Sequence, residues 1–198
     1  RATPPWSVAT PSKAMCRRAF LLLLLLVTTL PTAVAARSLV IERFDADVVV
    51  SPEGVIYVTE TIRPRFTGEW NGIFRTIPVE YRTPQGFNYT LHLDVESIAD
   101  ERGNPLKVEQ SRERHYRKFK IWVPDARDAT RTVVFRYRVS NALKFFESHD
   151  ELYWNITGDE WEVPIQSAAA RILLPPGASG VRALAFTGAY GSRDQRAD

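Results

Sequence analysis

The chain has 198 residues, 44% of them hydrophobic, which suits one globular domain with appendages and supplies enough apolar side chains for a core. The pI of about 9.1 suggests nucleic-acid binding, but residues 1–36 carry Arg1, Lys13, Arg17 and Arg18 and no acid, so removing those four charges from the net +3 leaves −1 for residues 37–198. The single cysteine, Cys16, precedes an apolar run, so the chain beyond it has no thiol for a disulfide, a metal or a nucleophile.

Met15 is the only methionine and reads as the start, with residues 1–14 an upstream or unstructured leader. Arg17-Arg18, the apolar stretch 19–30 and the small residues Ala33-Val34-Ala35-Ala36 make a positive n-region, a hydrophobic helix and an Ala-x-Ala site. Residues 15–36 are therefore predicted to be a secretory signal peptide, cleaved after Ala35 or Ala36. The competing reading is an uncleaved anchor. It is disfavoured because the run is shorter than the roughly 18–20 residues a span needs and Pro31 interrupts it. Cys16 lies ahead of the hydrophobic region, where bacterial lipoprotein acylation does not occur.

From Ser38 the pattern is that of strands. Leu39-Val40-Ile41 and Val48-Val49-Val50 surround Phe44, and Ser51-Pro52-Glu53-Gly54 is a turn by composition. Residues 55–63 place Ile56, Val58 and Ile62 on one face and Tyr57, Thr59 and Thr61 on the other, completing a hairpin. Glu60 falls on the apolar face, where a carboxylate is costly unless it lies at an edge or pairs with an arginine. Gly68 and Gly72 bracket a loop carrying Trp70. The return strand 73–77 buries Arg75 among apolar residues, so its guanidinium needs a carboxylate or carbonyl partner. Glu60 and the later acidic pairs are the candidates, and Pro78 keeps this strand from an inner ladder position.

Thr83-Pro84-Gln85-Gly86 marks a turn. Residues 87–98 alternate cleanly, with Leu91, Leu93 and Val95 inward and His92, Asp94 and Glu96 outward. A polar hairpin over 106–123, tipped by residues 111–115, turns Phe119, Ile121 and Val123 toward the core. Val133, Phe135, Tyr137 and Val139 alternate with Arg136 and Arg138. Residues 141–149 fit a loop or a helical turn. Residues 165–174 and 181–186 read as the last two strands.

Residues 150–165 organise the rest. Leu152, Tyr153, Trp154 and Ile156 lie between the acidic pairs Asp150/Glu151 and Asp159/Glu160, and Trp161, Val163 and Ile165 follow the second pair, with Gly158 at the turn between two short extended arms. Each large aromatic removes about 150–250 Å² from water on burial, so Tyr153, Trp154 and Trp161 are expected inside a corner that the acids ring. Many short strands without strand–helix alternation indicate an all-β antiparallel β-sandwich of immunoglobulin or fibronectin kind over residues 37–191, with a polar tail at 192–198.

Three stretches together resemble a known family. They are residues 54–62 (GVIYVTETI), Phe66-Thr67-Gly68 followed by residues 72–78 (GIFRTIP), and Glu151-Leu152-Tyr153-Trp154-Asn155 through Gly158, Trp161, Pro164 and Ile165, then Leu174-Pro175. The pattern resembles the amino-terminal region of the predicted membrane proteins grouped as domain of unknown function 2207, over roughly residues 38–191. The resemblance implies an extracytoplasmic β-rich domain behind a signal peptide, with transmembrane helices and a cytoplasmic tail later. Nothing after Ile165 is long enough to span a bilayer, so the chain reads as a fragment whose attachment lies in a missing carboxyl-terminal span or an uncleaved signal. The family has no established activity, so the resemblance assigns no catalytic residue and no cofactor.

The chemistry left to weigh is sparse. His149, Asp150, Glu151, Asp159 and Glu160 could serve a secreted glycoside hydrolase or hold a metal, given suitable carboxylate spacing. No metalloprotease, EF-hand or nucleophile-elbow pattern supports that, and a solvated acidic rim explains them. Trp70, Tyr153, Trp154 and Trp161 could stack on sugars or peptide, but core packing is the simpler assignment. The basic hairpin around Arg112, Arg114, His115, Arg117 and Lys118 reads as a solvated tip. Asn88-Tyr89-Thr90 and Asn155-Ile156-Thr157 fit the N-glycosylation pattern, relevant only in a eukaryotic secretory pathway. The candidate surface or corner residues are Trp70, Arg75, Asp150, Glu151, Trp154, Asp159, Glu160 and Trp161, with no catalytic, cofactor or metal assignment. The expectation is a non-enzymatic binding or structural domain, exported and membrane-anchored in the full-length protein. Its partner would be an envelope protein or polymer rather than nucleic acid. Self-association through an exposed edge strand is a second alternative.

Overall fold

The computed structural model describes residues 36–82, 86 and 88–187, which form strands, turns and coil with no helix among them. The predicted leader, all of the predicted signal peptide but Ala36, and residues 188–198 lie outside the described residues, as does most of the turn at 83–86.

The all-β expectation holds. Two long strands, β1 (Ser38–Val50) and β2 (Ile56–Glu69), form the hairpin expected from their alternation. The turn between them is closed by the Ser51 N–H on the Val55 carbonyl, at 2.8 Å. Their register slips between Ile41 and Arg43, so Glu42 is bulged opposite Pro64. A proline inside a paired strand is tolerated at such a bulge because no ladder donor is demanded of it there.

The remaining strands are β3 (Gly72–Pro78), β4 (Glu80–Arg82), β5 (Asn88–Thr90), β6 (His92–Ala99), β7 (Val108–Glu113), β8 (Tyr116–Trp122), β9 (Arg127–Thr130), β10 (Val133–Ser140), β11 (Leu143–Phe145), β12 (Asp150–Leu152) and β13 (Ala168–Leu173). The largest sheet runs β13-β1-β2-β10-β6, with β9 pairing the far half of β2. A second sheet runs β3-β8-β7, and β4–β5 and β11–β12 are small hairpins. As Pro78 requires, β3 is an edge strand.

One apolar cluster joins the two larger sheets. Phe119 of β8 meets Phe135 of β10 edge to face, ring centroids 4.8 Å apart. Ile56, Val58 and Ile62 of β2, Val133, Phe135 and Val139 of β10, and Ile73, Ile77 and Ile121 of the smaller sheet are buried in that cluster. The inward residues expected on β2, β8 and β10 are the ones found. On β6 the alternation shifts phase: the register slips between Arg136 and Tyr137 of β10, and beyond it Ile98 and Ala99 turn inward.

Five expectations need correction. The sheets are not antiparallel throughout, because β13 runs parallel to β1, from Phe44 opposite Ala168 to Val49 opposite Leu173. The irregular crossover after β12 is long enough to allow this, and it docks through the Ile41 N–H on the Pro164 carbonyl at 3.0 Å. Residues 141–149 are neither loop nor helical turn alone, since β11 there pairs with β12. Residues 150–165 do not form two extended arms about Gly158; only β12 is a strand and the rest is irregular. Tyr153 is not sealed inside but 60% exposed, because an isolated apolar residue next to β12 points away from the core. Residues 181–186 are coil, with Val181, Leu184 and Phe186 exposed, because no neighbouring strand offers them a ladder.

Candidate functional site

The parity of three strands brings three polar side chains into the core. Glu60 shares the inward face of β2 with Ile56, Val58 and Ile62, Arg75 lies between Ile73 and Ile77 on β3, and Tyr137 sits on the inward face of β10. Arg75 is 1% and Glu60 0% exposed. Arg75 grips Glu60 with both prongs: Nε donates to Oε2 and Nη2 to Oε1, each at 2.7 Å. The Tyr137 hydroxyl donates to the same Oε1 at 2.6 Å. This arrangement satisfies the expectation that Glu60 partners an arginine. Glu60 is not an edge residue, because β2 lies between β1 and β10.

The guanidinium has donors to spare, and the irregular segment takes them. Nη1 donates to the carbonyls of Thr76 at 2.8 Å and Thr157 at 2.9 Å, and Nη2 to that of Ile156 at 3.2 Å. With the two bonds to Glu60, all five guanidinium N–H donors are used. Arg75 is therefore a clamp that fastens residues 156–158 to the core, and it has no donor left for a ligand.

Gly158 is needed at this point. Its φ is +83°, and a Cβ there would stand 2.5 Å from Arg75 Nη1. Its N–H is capped by Asn155 Oδ1 at 3.1 Å. Trp161 donates its indole N–H to the Thr157 carbonyl at 2.6 Å and sets its ring edge to face on Phe44, centroids 6.2 Å apart. Phe44 in turn lies 5.3 Å beneath the Arg75 guanidinium.

Burial alone would lower the Arg75 pKa, but the charge and hydrogen bonds of Glu60, together with Tyr137, outweigh that and raise it. Tyr137 is pushed well above its ordinary value, first by burial and then by the Glu60 carboxylate. Arg75 and Tyr137 therefore both hold their protons near neutral pH.

The acidic residues divide between two places. Asp150 and Glu151 are exposed on the β11–β12 hairpin, where Glu151 lies 3.8 Å from Lys144. His149 stacks on Phe146 rather than on any carboxylate, with centroids 4.9 Å apart. Asp159 accepts from the Tyr116 hydroxyl at 3.2 Å, and burial followed by Asp159 and Glu160 raises the Tyr116 pKa. Among the described residues no three His, Cys, Asp or Glu side chains gather as a metal site. Among the described residues, the buried atoms Asp159 Oδ1 and Trp154 Nε1 have no hydrogen-bond partner.

Trp70, Trp154 and Trp161 share no platform. Trp154 packs on Tyr137, Trp161 on Phe44, and Trp70 on Phe66 with centroids 6.4 Å apart. The basic hairpin is partly neutralised, by Arg112 on Glu80 at 2.8 Å and Lys118 on Glu113 at 3.2 Å. Tyr137 and Phe44 read from sequence only as core, and their part in the clamp went unseen. A tyrosine on the inward face of a strand, when another carries an inward glutamate, was the available signal.

A family description, the N-terminal domain of a predicted membrane protein (DUF2207), matches residues 40–197. No curated protein sequence matches significantly. Among solved structures, a native yeast LTA4 hydrolase aligns at 14% identity over 69% of this chain and 23% of its own, with a TM-score of 0.46. An M1 zinc metallopeptidase from Deinococcus radiodurans aligns at 12% identity over 52% and 21%, TM-score 0.35. A two-domain M1 zinc metallopeptidase bound to L-arginine aligns at 12% identity over 76% and 36%, TM-score 0.43. The chain spans well under half the length of each of these enzymes, and likeness this distant transfers no activity.

Proposed function

The chain belongs to the family of predicted membrane proteins whose N-terminal domain is DUF2207, and on that premise we propose an exported, extracytoplasmic β-sandwich, of immunoglobulin or fibronectin kind, with a non-enzymatic binding or structural role at the cell envelope. In this reading the full-length protein is held at the membrane by segments other than the sandwich, and recognition of an envelope protein or polymer runs through its loops. The observation that carries it is the Arg75 clamp. The most buried charged groups are consumed in fastening a loop to the core, with all five donors of Arg75 satisfied internally. Such groups build a rigid scaffold rather than a reaction centre.

Export is tested by placing a thiol on the exposed face of β7, as Ser111→Cys, in the full-length protein. The chain's own single cysteine, Cys16, lies ahead of the apolar run, so the unsubstituted protein is the background control. A membrane-impermeant maleimide should label the variant in intact cells. Labelling that appears only after permeabilisation would overturn the proposal.

A further inference from the structure

At the end of the large sheet where β1 begins, two loops border an open cleft of about 430 Å³ lined by Glu69, Trp70, Asn71, Trp122, Asp125 and Arg127 among others. We propose that the cleft between Trp70 and Trp122 binds an acidic polysaccharide, a polymer of sugar rings bearing carboxylate or phosphate groups. This rests on the surface-recognition reading above and names its ligand.

The walls are pre-set. The Trp70 N–H donates to the Ala126 carbonyl at 2.8 Å and the Val123 N–H to the Asn71 carbonyl at 3.0 Å, so the two loops are fastened to one another. The Gly68 N–H donates to Asp128 Oδ1 at 2.7 Å, and the Trp70 indole N–H to the Thr67 carbonyl at 2.9 Å. Gly72 makes the close approach possible, since a Cβ there would lie 1.9 Å from the Ile121 carbonyl oxygen. A ligand therefore meets an ordered cleft and has little loop to order on binding. The volume falls within the 300–1,000 Å³ typical of ligand clefts.

The basic charge comes from three residues outside the lining that lie against its two indoles. The Arg37 guanidinium lies 4.4 Å from the centre of the Trp70 ring, and the Lys107 and Lys120 ammonium groups lie 4.6 and 4.4 Å from that of Trp122. Neither Arg37 nor Lys107 forms an ion pair among the described residues, so both charges remain for a ligand. These are long, exposed side chains whose hold on the indoles is weak in water. An incoming carboxylate or phosphate draws them off the rings, and the uncovered indoles then receive the apolar face of a sugar. Glu69 is neutralised by Arg127. Asp125 and Asn71 are exposed and suit sugar hydroxyls. A flat lipid surface does not enter a concave cleft.

The test uses the purified chain with polygalacturonate as the uronate polymer, dextran as the neutral one, and anionic phospholipid vesicles. Binding is followed by tryptophan fluorescence and calorimetry. Polygalacturonate should bind, weaken with salt, and bind at least tenfold more weakly to Trp122→Ala. Lys107→Gln/Lys120→Gln, which removes only surface charge and so keeps the fold, should weaken it several-fold and flatten the salt dependence. No binding to polygalacturonate overturns the proposal, as does binding unchanged in both variants, dextran bound as well as polygalacturonate, or vesicle binding alone that Trp122→Ala abolishes. The labelling of Ser111→Cys reads export independently, so failure here is distinguishable from failure there.

Discussion

Replacing Arg75 by methionine tests the clamp. The substitution keeps much of the apolar stem volume but removes five donors at once. It leaves Glu60 buried at 0% exposure with Tyr137 as its remaining partner. Breaking a buried ion pair from one side costs about 3–5 kcal/mol. For a domain of about 150–250 residues each kcal/mol lowers Tm by roughly 2–4 °C, so Arg75→Met should melt about 6–20 °C lower. The double variant Glu60→Leu/Arg75→Met separates the two parts of that cost. Swapping a whole buried pair for apolar groups is often neutral or stabilising, so the share due to the stranded carboxylate should return. The carbonyls of Thr76, Ile156 and Thr157 still lack their donor. Each unsatisfied buried acceptor costs about 1–3 kcal/mol, less where water reaches it, so a residual destabilisation should remain. Urea titration gives the free energies, and amide exchange over residues 155–161 should show faster opening in both variants. A single variant less than 1 kcal/mol below the parent, or a double variant as unstable as the single, would refute the clamp.

Two further outcomes follow from the same cluster. Gly158→Ala should lose about 1–2 kcal/mol for its left-handed backbone and more for displacing Arg75, whereas Gly103→Ala, at φ +84° with no atom within 4 Å of a new Cβ, should lose only the backbone share. Equal losses in the two would show that the approach of Gly158 to Arg75 is unimportant. Tyr137 has its folded pKa raised well above that of the unfolded chain, so the stability it contributes is complete below about pH 10 and falls as pH rises toward the folded value. Tyr137→Phe should therefore flatten the loss of stability above pH 10 by about 1.4 kcal/mol per pH unit, and parallel alkaline slopes in the two proteins would contradict the assignment.

The order of alternation carried most of what could be read without coordinates. Ile56-x-Val58 and Val133-x-Phe135-x-Tyr137-x-Val139 declare which side chains turn inward, because successive residues of a strand face opposite sides whatever their partners are. The same parity put Glu60 and Arg75 on apolar faces and made each a candidate partner for the other. Alternation says nothing of which strand lies alongside which, or in what direction. The parallel course of β13 beside β1 was settled by a neighbour distant in the chain, and the hairpin of β11 with β12 joins three-residue strands too short to show an alternation.

Residues 150–165 show the division most sharply. Their composition announced a corner with buried aromatics, and Trp154 and Trp161 do pack against the core. Tyr153 faces solvent, and the acids split between two sites, because an irregular segment has no period to assign its side chains. Its course is set by Arg75, whose donors reach carbonyls 81 and 82 residues away in sequence. A carbonyl belongs to every residue alike, so no residue type in the sequence marks the ones Arg75 will find. The sequence by itself determined strands, faces and the need of Arg75 for a buried partner, and only the tertiary structure decided that the partner is Glu60 and what the pair holds in place.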